Sequence, residues 1–251
     1  MPARLPVSPV VNRLIDRLPG KQRDRLLEQC TPVQLAFGDI LCDAGTAVKH
    51  VYFPLAGFIS LVATVRDEPP LEMSMIGNEG MLGATLALGV TTNPLRAVVQ
   101  GSGSALRMTI AQFRRELRTS AELRRTLDMY LYVLFEQLAQ TAACNSFHEA
   151  QARLARWLLM THDRTYGGRF RLTHLFLAEM LGVRRSAVTI AAGELQRRRL
   201  IHYTRGHISV LSRSGLEAAS CECYAAALEA YDRCLPGLAN GSRERVKAGA
   251  G

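Results

Sequence analysis

No stretch of this 251-residue sequence holds the roughly 20 consecutive apolar residues that a membrane span needs, and its opening Met1-Pro-Ala-Arg-Leu-Pro6 lacks the apolar core of a secretory signal. The expectation is a cytoplasmic protein with no membrane partner. Cysteine is sparse: Cys30, Cys42, Cys144, Cys221, Cys223 and Cys234 are too few and too scattered for a disulfide framework, so free thiols are expected. Cys221-Glu222-Cys223 is the one suggestive pair. Residues two apart on a helix do not share a face, however, so the pair reads as thiols filling a helix packing surface, and no metal site is expected. Catalytic motifs are missing too. There is no Gly-x-Ser-x-Gly, P-loop, His-Glu-x-x-His or dinucleotide fingerprint, so no enzyme is expected. His148, His162 and Asp163 lie among Arg153, Arg156 and Arg164 and read as an exposed polar face of a helix.

Acid is the scarcest charged class where it matters most. The chain has 31 basic and 22 acidic residues, a formal charge of +9. Residues 1–145 carry 15 basic against 13 acidic groups, whereas residues 146–251 carry 16 against 9. Such an asymmetry points to a polyanionic partner for the C-terminal part. A hydrophobic content of 48% is ample for ordinary cores.

The most informative stretch is Leu172 to Ile201. Thr173 is a good N-cap, and Leu175, Leu177, Ala178, Met180 and Leu181 form an apolar stripe that stops at Gly182, a residue suited to the left-handed helix stop. A second helix follows, with Val188, Ala191 or Ala192, and Leu195 on its buried face. Arg184, Arg185, Ser186 and Thr189 are left on the other face near its start, where a recognition helix meets base edges. Leu200–Thr204 and His207–Leu211 flank Arg205-Gly206 as a two-stranded ribbon, a wing. Arg184, Arg185, Arg197, Arg198, Arg199 and Arg205 fall between positions 184 and 205 against the single acid Glu194, the footprint of a phosphate-neutralising surface. The bland alternative is two amphipathic helices with a solvated basic face.

Upstream, residues 1–9 are Pro-rich and expected loose, and Val11, Leu14, Ile15, Leu18, Leu26 and Leu27 suggest short amphipathic helices broken at Pro19-Gly20. From Val33 to Met108 short β-rich runs, His50–Phe53, Gly57–Ala63, Leu71–Ile76 and Arg96–Gln100, alternate with turn signals at Asp67–Pro70 and Gly101–Gly103. They argue for a β-barrel or jelly roll. Ile110 to Thr161 turns helical. Within it Leu123, Leu127, Tyr130, Leu134, Leu138 and Thr141 recur at spacings of three and four, a seam suited to pairing with a second copy, although a stripe packed on its own barrel has the same period. A break is expected near Asn145-Ser146, a further helix at Gly215–Leu235, and a polar disordered tail at 236–251.

This order of elements resembles the Crp/Fnr family of bacterial transcription regulators over roughly residues 10–213. The likeness is strongest at Leu172–Val210, weaker at Phe37-Gly-Asp-Ile-Leu41, Gly45 and Val51-Tyr-Phe53. It implies an α+β chain: a β-roll like that of cyclic-nucleotide-binding domains at 10–120, a central dimerisation helix at 121–145, a winged helix-turn-helix at 146–213, and a helix with flexible tail at 214–251. It further implies a homodimer on palindromic double-stranded DNA, with RNA polymerase as a partner. By position, Arg185 falls on the family's guanine-reading arginine, Ser186 on its usual acidic reader and Ile190 on a second polar reader. Thr173, Arg184, Arg185, Ser186, Thr189 and Arg205 are the expected DNA-binding residues, and Leu123, Leu127, Tyr130, Leu134 and Leu138 the expected dimer seam.

The ligand cassette departs from the family. Ala84 stands where cyclic-nucleotide binders have a ribose-binding glutamate, and Arg96-Ala97 lies about two residues from the place of the phosphate-binding arginine. Cyclic AMP and cyclic GMP are therefore disfavoured, and the roll is expected either to bind a different small anionic effector at Gly80, Gly83 and Arg96 or to serve as a permanently set dimer scaffold; no cofactor is assigned. Cys30 and Cys42 alone are too few for a four-thiolate iron–sulfur cluster. The competing reading is a sensory module whose basic C-terminal part binds RNA or a protein.

Overall fold

The computed structural model describes residues 12–165 and 169–236. The loose segment expected at 1–9 and, apart from Pro236, the tail expected at 236–251 lie outside the described residues. Helices α1 (Arg13–Asp16) and α2 (Gly20–Glu28) come first. Asn12 caps α1 by accepting from the Leu14 and Ile15 amides, while its Nδ2 donates to the Pro54 and Gly80 carbonyls at 3.0 and 2.8 Å. This buried amide fastens the N-terminal helices to the strands that follow.

Strands β1 (Thr31–Leu35), β2 (Ile40–Cys42), β3 (His50–Ala63), β4 (Leu71–Ile76) and β5 (Arg96–Thr109) make an antiparallel sheet in the order β1-β5-β3-β4, with β2 also on β5. Rolled up, it encloses Val51, Phe53, Ile59, Ile76, Leu82, Ala97, Val99 and Met108. Two expectations change here. His50–Phe53 and Gly57–Ala63 are one strand, and Gly101–Gly103 is no turn but the middle of β5. A Cβ on Gly57 would sit 2.2 Å from the Gly101 carbonyl oxygen, and one on Gly103 2.0 Å from that of Ala56. These glycines let two long strands bend past each other through register shifts between Pro54 and Phe58.

Thr109 and Gln112 form a capping box that starts α3 (Ile110–Thr119). Ser120 then caps α4 (Ala121–Phe147), its Oγ accepting from the Leu123 amide at 3.0 Å. At 1.5 Å per residue α4 is about 40 Å long. Leu123, Leu127 and Tyr130 are buried in the roll's own hydrophobic core, and Leu134 packs against that core. They are therefore not the face offered to a second copy: the period is right, but the barrel claims the stripe. What α4 leaves exposed is Met129, Tyr132 and Phe135, the last 68% accessible. Leu138 is half-buried between the two faces.

The break after α4 falls at His148-Glu149, beyond Asn145-Ser146, and α5 (Ala150–Arg164) follows. The polar face expected there is largely interior. Arg153 is buried and donates to Asn145 Oδ1 and to the Leu181 carbonyl. Arg164 pairs with Glu79 at 2.7 Å, and Asp163 pairs with Arg213 at 2.6 Å and accepts from Tyr224 at 2.8 Å. Arginines so placed bridge α5 to its neighbours.

The C-terminal part comprises β6 (Arg169–Arg171), α6 (His174–Leu181), α7 (Arg185–Arg197), β7 (Ile201–Thr204), β8 (His207–Val210), α8 (Arg213–Ala219) and α9 (Cys223–Cys234). The single helix expected over Gly215–Leu235 is two, broken at Ser220-Cys221-Glu222, with Ser212 capping α8 through the Gly215 amide. α9 packs along α4, where Arg233 meets Glu136 at 2.6 Å. The winged unit is docked on the roll. Phe58 and Met75 belong to the same hydrophobic cluster as Trp157, Leu158, Leu177 and Val188, Trp157 Nε1 donates to Glu72 at 2.8 Å, and Phe37 meets Phe176 with ring centroids 5.9 Å apart.

Candidate nucleic-acid interface

Thr173 starts α6 as the sequence requires: its Oγ1 accepts from the Phe176 amide at 3.1 Å. Leu177, Ala178, Met180 and Leu181 are buried, whereas Leu175 is exposed and leaves the stripe one residue shorter than expected. Gly182 ends the helix at φ +60°, and a Cβ there would meet Leu71 of β4 at 2.8 Å, so backbone conformation and close packing both call for glycine. Arg184 is the N-cap of α7 and makes no side-chain cap, which leaves the first amides of that helix directed outward. Val188, Ala191, Ala192 and Leu195 turn inward.

Arg184, Arg185, Ser186, Thr189 and Ile190 thus line an outward face; Ile190 is 73% exposed. Neither Arg184 nor Arg185 has an ion-pair partner among the described residues. Thr189 is less free than the sequence suggests, since its hydroxyl donates to the Arg185 carbonyl at 3.1 Å and lies 3.0 Å from His174 Nδ1. His174 in turn stacks on Tyr203 of the wing, centroids 4.6 Å apart and planes 13° from parallel. Partial burial and the charge of Arg185 both push the His174 pKa down. The sequence reading missed this His174–Tyr203 platform. Its signal was the position of His174, the first helical residue after the Thr173 cap and fifteen residues before Thr189.

The wing is a tight hairpin: Arg205 at φ +47° and Gly206 at φ +78° supply the two left-handed residues of a two-residue loop. A third strand, β6, joins on β8 and was not expected. Arg199 is also left-handed, at φ +57°, where the Leu200 amide reaches back to the Leu195 carbonyl at 3.0 Å to close α7. Glycine would serve both places without the penalty of roughly 1–2 kcal/mol that a side chain incurs there. Arginine at two such positions keeps cations beside the wing at a cost in stability. Arg197 differs. Glu194 binds it through two hydrogen bonds, at 2.9 and 2.7 Å, so its charge is largely neutralised.

The expected anion cradle in the roll is not assembled. A Cβ on Gly80 would lie 2.2 Å from the Tyr130 hydroxyl, and one on Gly83, at φ +95°, 2.9 Å from Val51 Cγ1. Both glycines make room for the chain's own side chains. Ala84 is buried at the head of a short 3-10 turn (Ala84–Leu88), and Arg96 Nε is 2.8 Å from Asp43 Oδ1. Arg96 is therefore engaged by a carboxylate at the roll's rim.

A helix capped by threonine and stopped by left-handed glycine, a second helix with an outward basic start, and a three-stranded wing define a winged-helix DNA-binding protein. Residues 152–219 match the family described as the Crp-like helix-turn-helix domain. That match makes the C-terminal part a DNA-binding unit of the Crp-like helix-turn-helix kind, and DNA-binding transcription regulation is the function it supports. No curated relative matches the sequence. The fold is similar to FixK2 from Bradyrhizobium japonicum, at 12% identity and TM-score 0.62, covering 76% of this chain and 98% of that one. It is similar to the c-di-GMP responsive regulator CLP of Xanthomonas campestris, at 14% identity and TM-score 0.60, covering 76% and 99%. A Crp/Fnr-family regulator from Eubacterium rectale matches at 14% identity and TM-score 0.63, covering 82% and 96%. Among the described residues no helix is long and apolar enough to cross a membrane.

Proposed function

We propose that the protein binds a palindromic operator as a homodimer in the cytoplasm, with α7 in the major groove and the wing on flanking phosphates, and regulates transcription through contact with RNA polymerase, with no catalytic activity of its own. The observation that carries this reading is the row of arginines Arg184, Arg185, Arg199 and Arg205, without an ion-pair partner among the described residues, around the exposed start of α7 and the wing, two of them held in left-handed backbone. Arg185 is the base reader and the others hold phosphates. Dimerisation uses the exposed face of α4, where Met129, Tyr132 and Phe135 recur three apart and Ala139, Ala142 and Ala143 allow close approach further along. Titration with operator-like duplex, random duplex, single-stranded DNA and RNA at several salt concentrations tests the function. A duplex reader gives a specific-over-nonspecific ratio of about 10³ or more, whereas equal affinity for RNA would support the competing reading.

The effector is not a cyclic nucleotide bound through the family's usual contacts. Asp43 already neutralises Arg96, and Ala84 offers nothing to a ribose hydroxyl. Calorimetry with cyclic AMP and cyclic GMP should show no binding that Arg96→Ala removes, and micromolar binding lost in that variant would refute this. Any small anionic effector must therefore bind elsewhere or displace Asp43.

A further inference from the structure

Cys144 near the end of α4, His148 at the α4–α5 break, and Cys221 and Cys223 at the α8–α9 corner bring three sulfurs and one imidazole nitrogen to a common point, all within 4.8 Å of one another. Cys144 Sγ lies 3.6 Å from Cys221 Sγ, and Cys223 Sγ lies 3.4 Å from His148 Nδ1. A tetrahedral zinc with Zn–S of about 2.3 Å and Zn–N of about 2.0–2.1 Å has ligand–ligand edges of roughly 3.5–3.8 Å. Two edges of this set are already at or near that length. The helix break at Ser220-Cys221-Glu222 removes the obstacle that a continuous helix would have posed, because Cys221 precedes α9 and Cys223 opens it.

The surroundings are those of a metal centre. His148 Nε2 lies 3.1 Å from Glu222 Oε1, which leaves Nδ1 aimed at the sulfurs and completes a carboxylate–histidine–metal line. Gln140 Nε2 donates to Cys223 Sγ at 2.9 Å, a bond that suits a thiolate acceptor. All three cysteines are buried, and among the described residues no further His, Cys, Asp or Glu joins the four, as in closed structural sites. Three thiolates and one neutral imidazole around a divalent cation carry a net charge of −1. Arg153 and Arg156 lie within electrostatic reach of Cys144 and offset it. Thiolate and imidazole together favour zinc over hard cations, and sulfurs this close converge on one ion rather than on the separate irons of a cluster.

We propose that Cys144, His148, Cys221 and Cys223 bind one Zn²⁺ in a closed tetrahedral site that pins the α8–α9 corner to the hinge between the central helix and the winged unit. Full-length protein purified without chelators should contain about one zinc per chain by mass spectrometry, as a coupled structural site requires. Cys221→Ser and Cys223→Ser should lose it, and Cys30→Ser and Cys234→Ser should keep it. Because serine at a buried cysteine can unfold the chain, His148→Ala, at a half-buried position, provides the second variant. It should retain its circular dichroism, weaken zinc by at least about tenfold and alter the visible spectrum of the Co²⁺-substituted protein. Metal-free protein in which Cys144, Cys221 and Cys223 all alkylate freely overturns the proposal, as does a Cys144–Cys221 disulfide or iron with acid-labile sulfide in the isolated chain. These measurements involve no DNA, so they stand or fall separately from operator binding.

Discussion

Glu72 sits at the joint between the two halves of the molecule. Its side chain is buried on β4, with Oε2 accepting from Ser60 Oγ at 2.5 Å and Oε1 from Trp157 Nε1 of α5 at 2.8 Å. Burial dominates its ionisation: desolvation lifts the pKa from 4.5 to about 7, against smaller opposing effects of the two hydrogen bonds and of Arg156 and Arg164. Between those two values the folded chain holds a proton that the unfolded chain has released. Stability from this group is therefore fully present below pH 4.5 and is lost as pH rises through about 7. The slope is about 1.4 kcal/mol per pH unit and the whole window amounts to roughly 3 kcal/mol. Glu72→Gln is nearly isosteric, stays neutral and keeps a carbonyl for Trp157. Urea unfolding of both proteins from about pH 5 to about pH 8, read from Trp157, the only tryptophan of the chain, isolates the effect, since other titrating groups cancel in the difference. The variant should gain on the wild type steadily with pH, by roughly 2–3 kcal/mol at the upper end. Parallel pH profiles, or a wild type that gains on the variant as pH rises, would refute the reasoning.

Arg185→Ala should cost about 1–3 kcal/mol of operator affinity and relax preference at one base pair per half-site, while Arg205→Ala should weaken all duplexes alike and reduce the salt slope by about one; competition binding on operator and random DNA separates the two. Arg199→Gly should move stability and function in opposite directions. Relief of the left-handed backbone should stabilise the fold by about 1 kcal/mol in denaturation, and loss of a cation should lower affinity and flatten its salt dependence. Tyr132→Glu with Phe135→Glu should yield monomers in sedimentation with the roll intact, because neither side chain enters its core; a double variant that still sediments as a dimer would move the interface elsewhere.

The winged unit was legible because its signals are local. Thr173, Gly182 and Arg205-Gly206 each dictate a cap or turn within a few residues, and Val188, Ala191 and Leu195 mark the buried face by spacing alone. The α4 seam failed for the opposite reason. A stripe with helical period says that a face is covered, not by what, and the covering body was the roll around Tyr130, whose hydroxyl accepts from the Met81 amide at 3.1 Å. Gly80 was misassigned by the same omission, since the group that needs its missing side chain is Tyr130, fifty positions away in the chain. Arg96 could be placed but not its partner Asp43, which lies on a different segment of the roll. The four metal-binding candidates lie in two helices and two helix connections and became a set only when the break at Cys221 was known.

The roll and the winged unit share one hydrophobic cluster, and this bears on how such a chain can change over time. A foreign roll grafted onto residues 148–236 would deprive Trp157 of its carboxylate, Met180 of the Gln100 amide 2.9 Å away and Gly182 of the Leu71 side chain that it accommodates. Phe176 would lose Phe37, and Trp157 would lose the edge of Phe58. Halves joined only by a linker can be exchanged like cassettes; these cannot. A substitution on the outer face of β4 or β5 is also a substitution in the bed of the DNA-reading helices, so the two halves are inherited, and drift, as one.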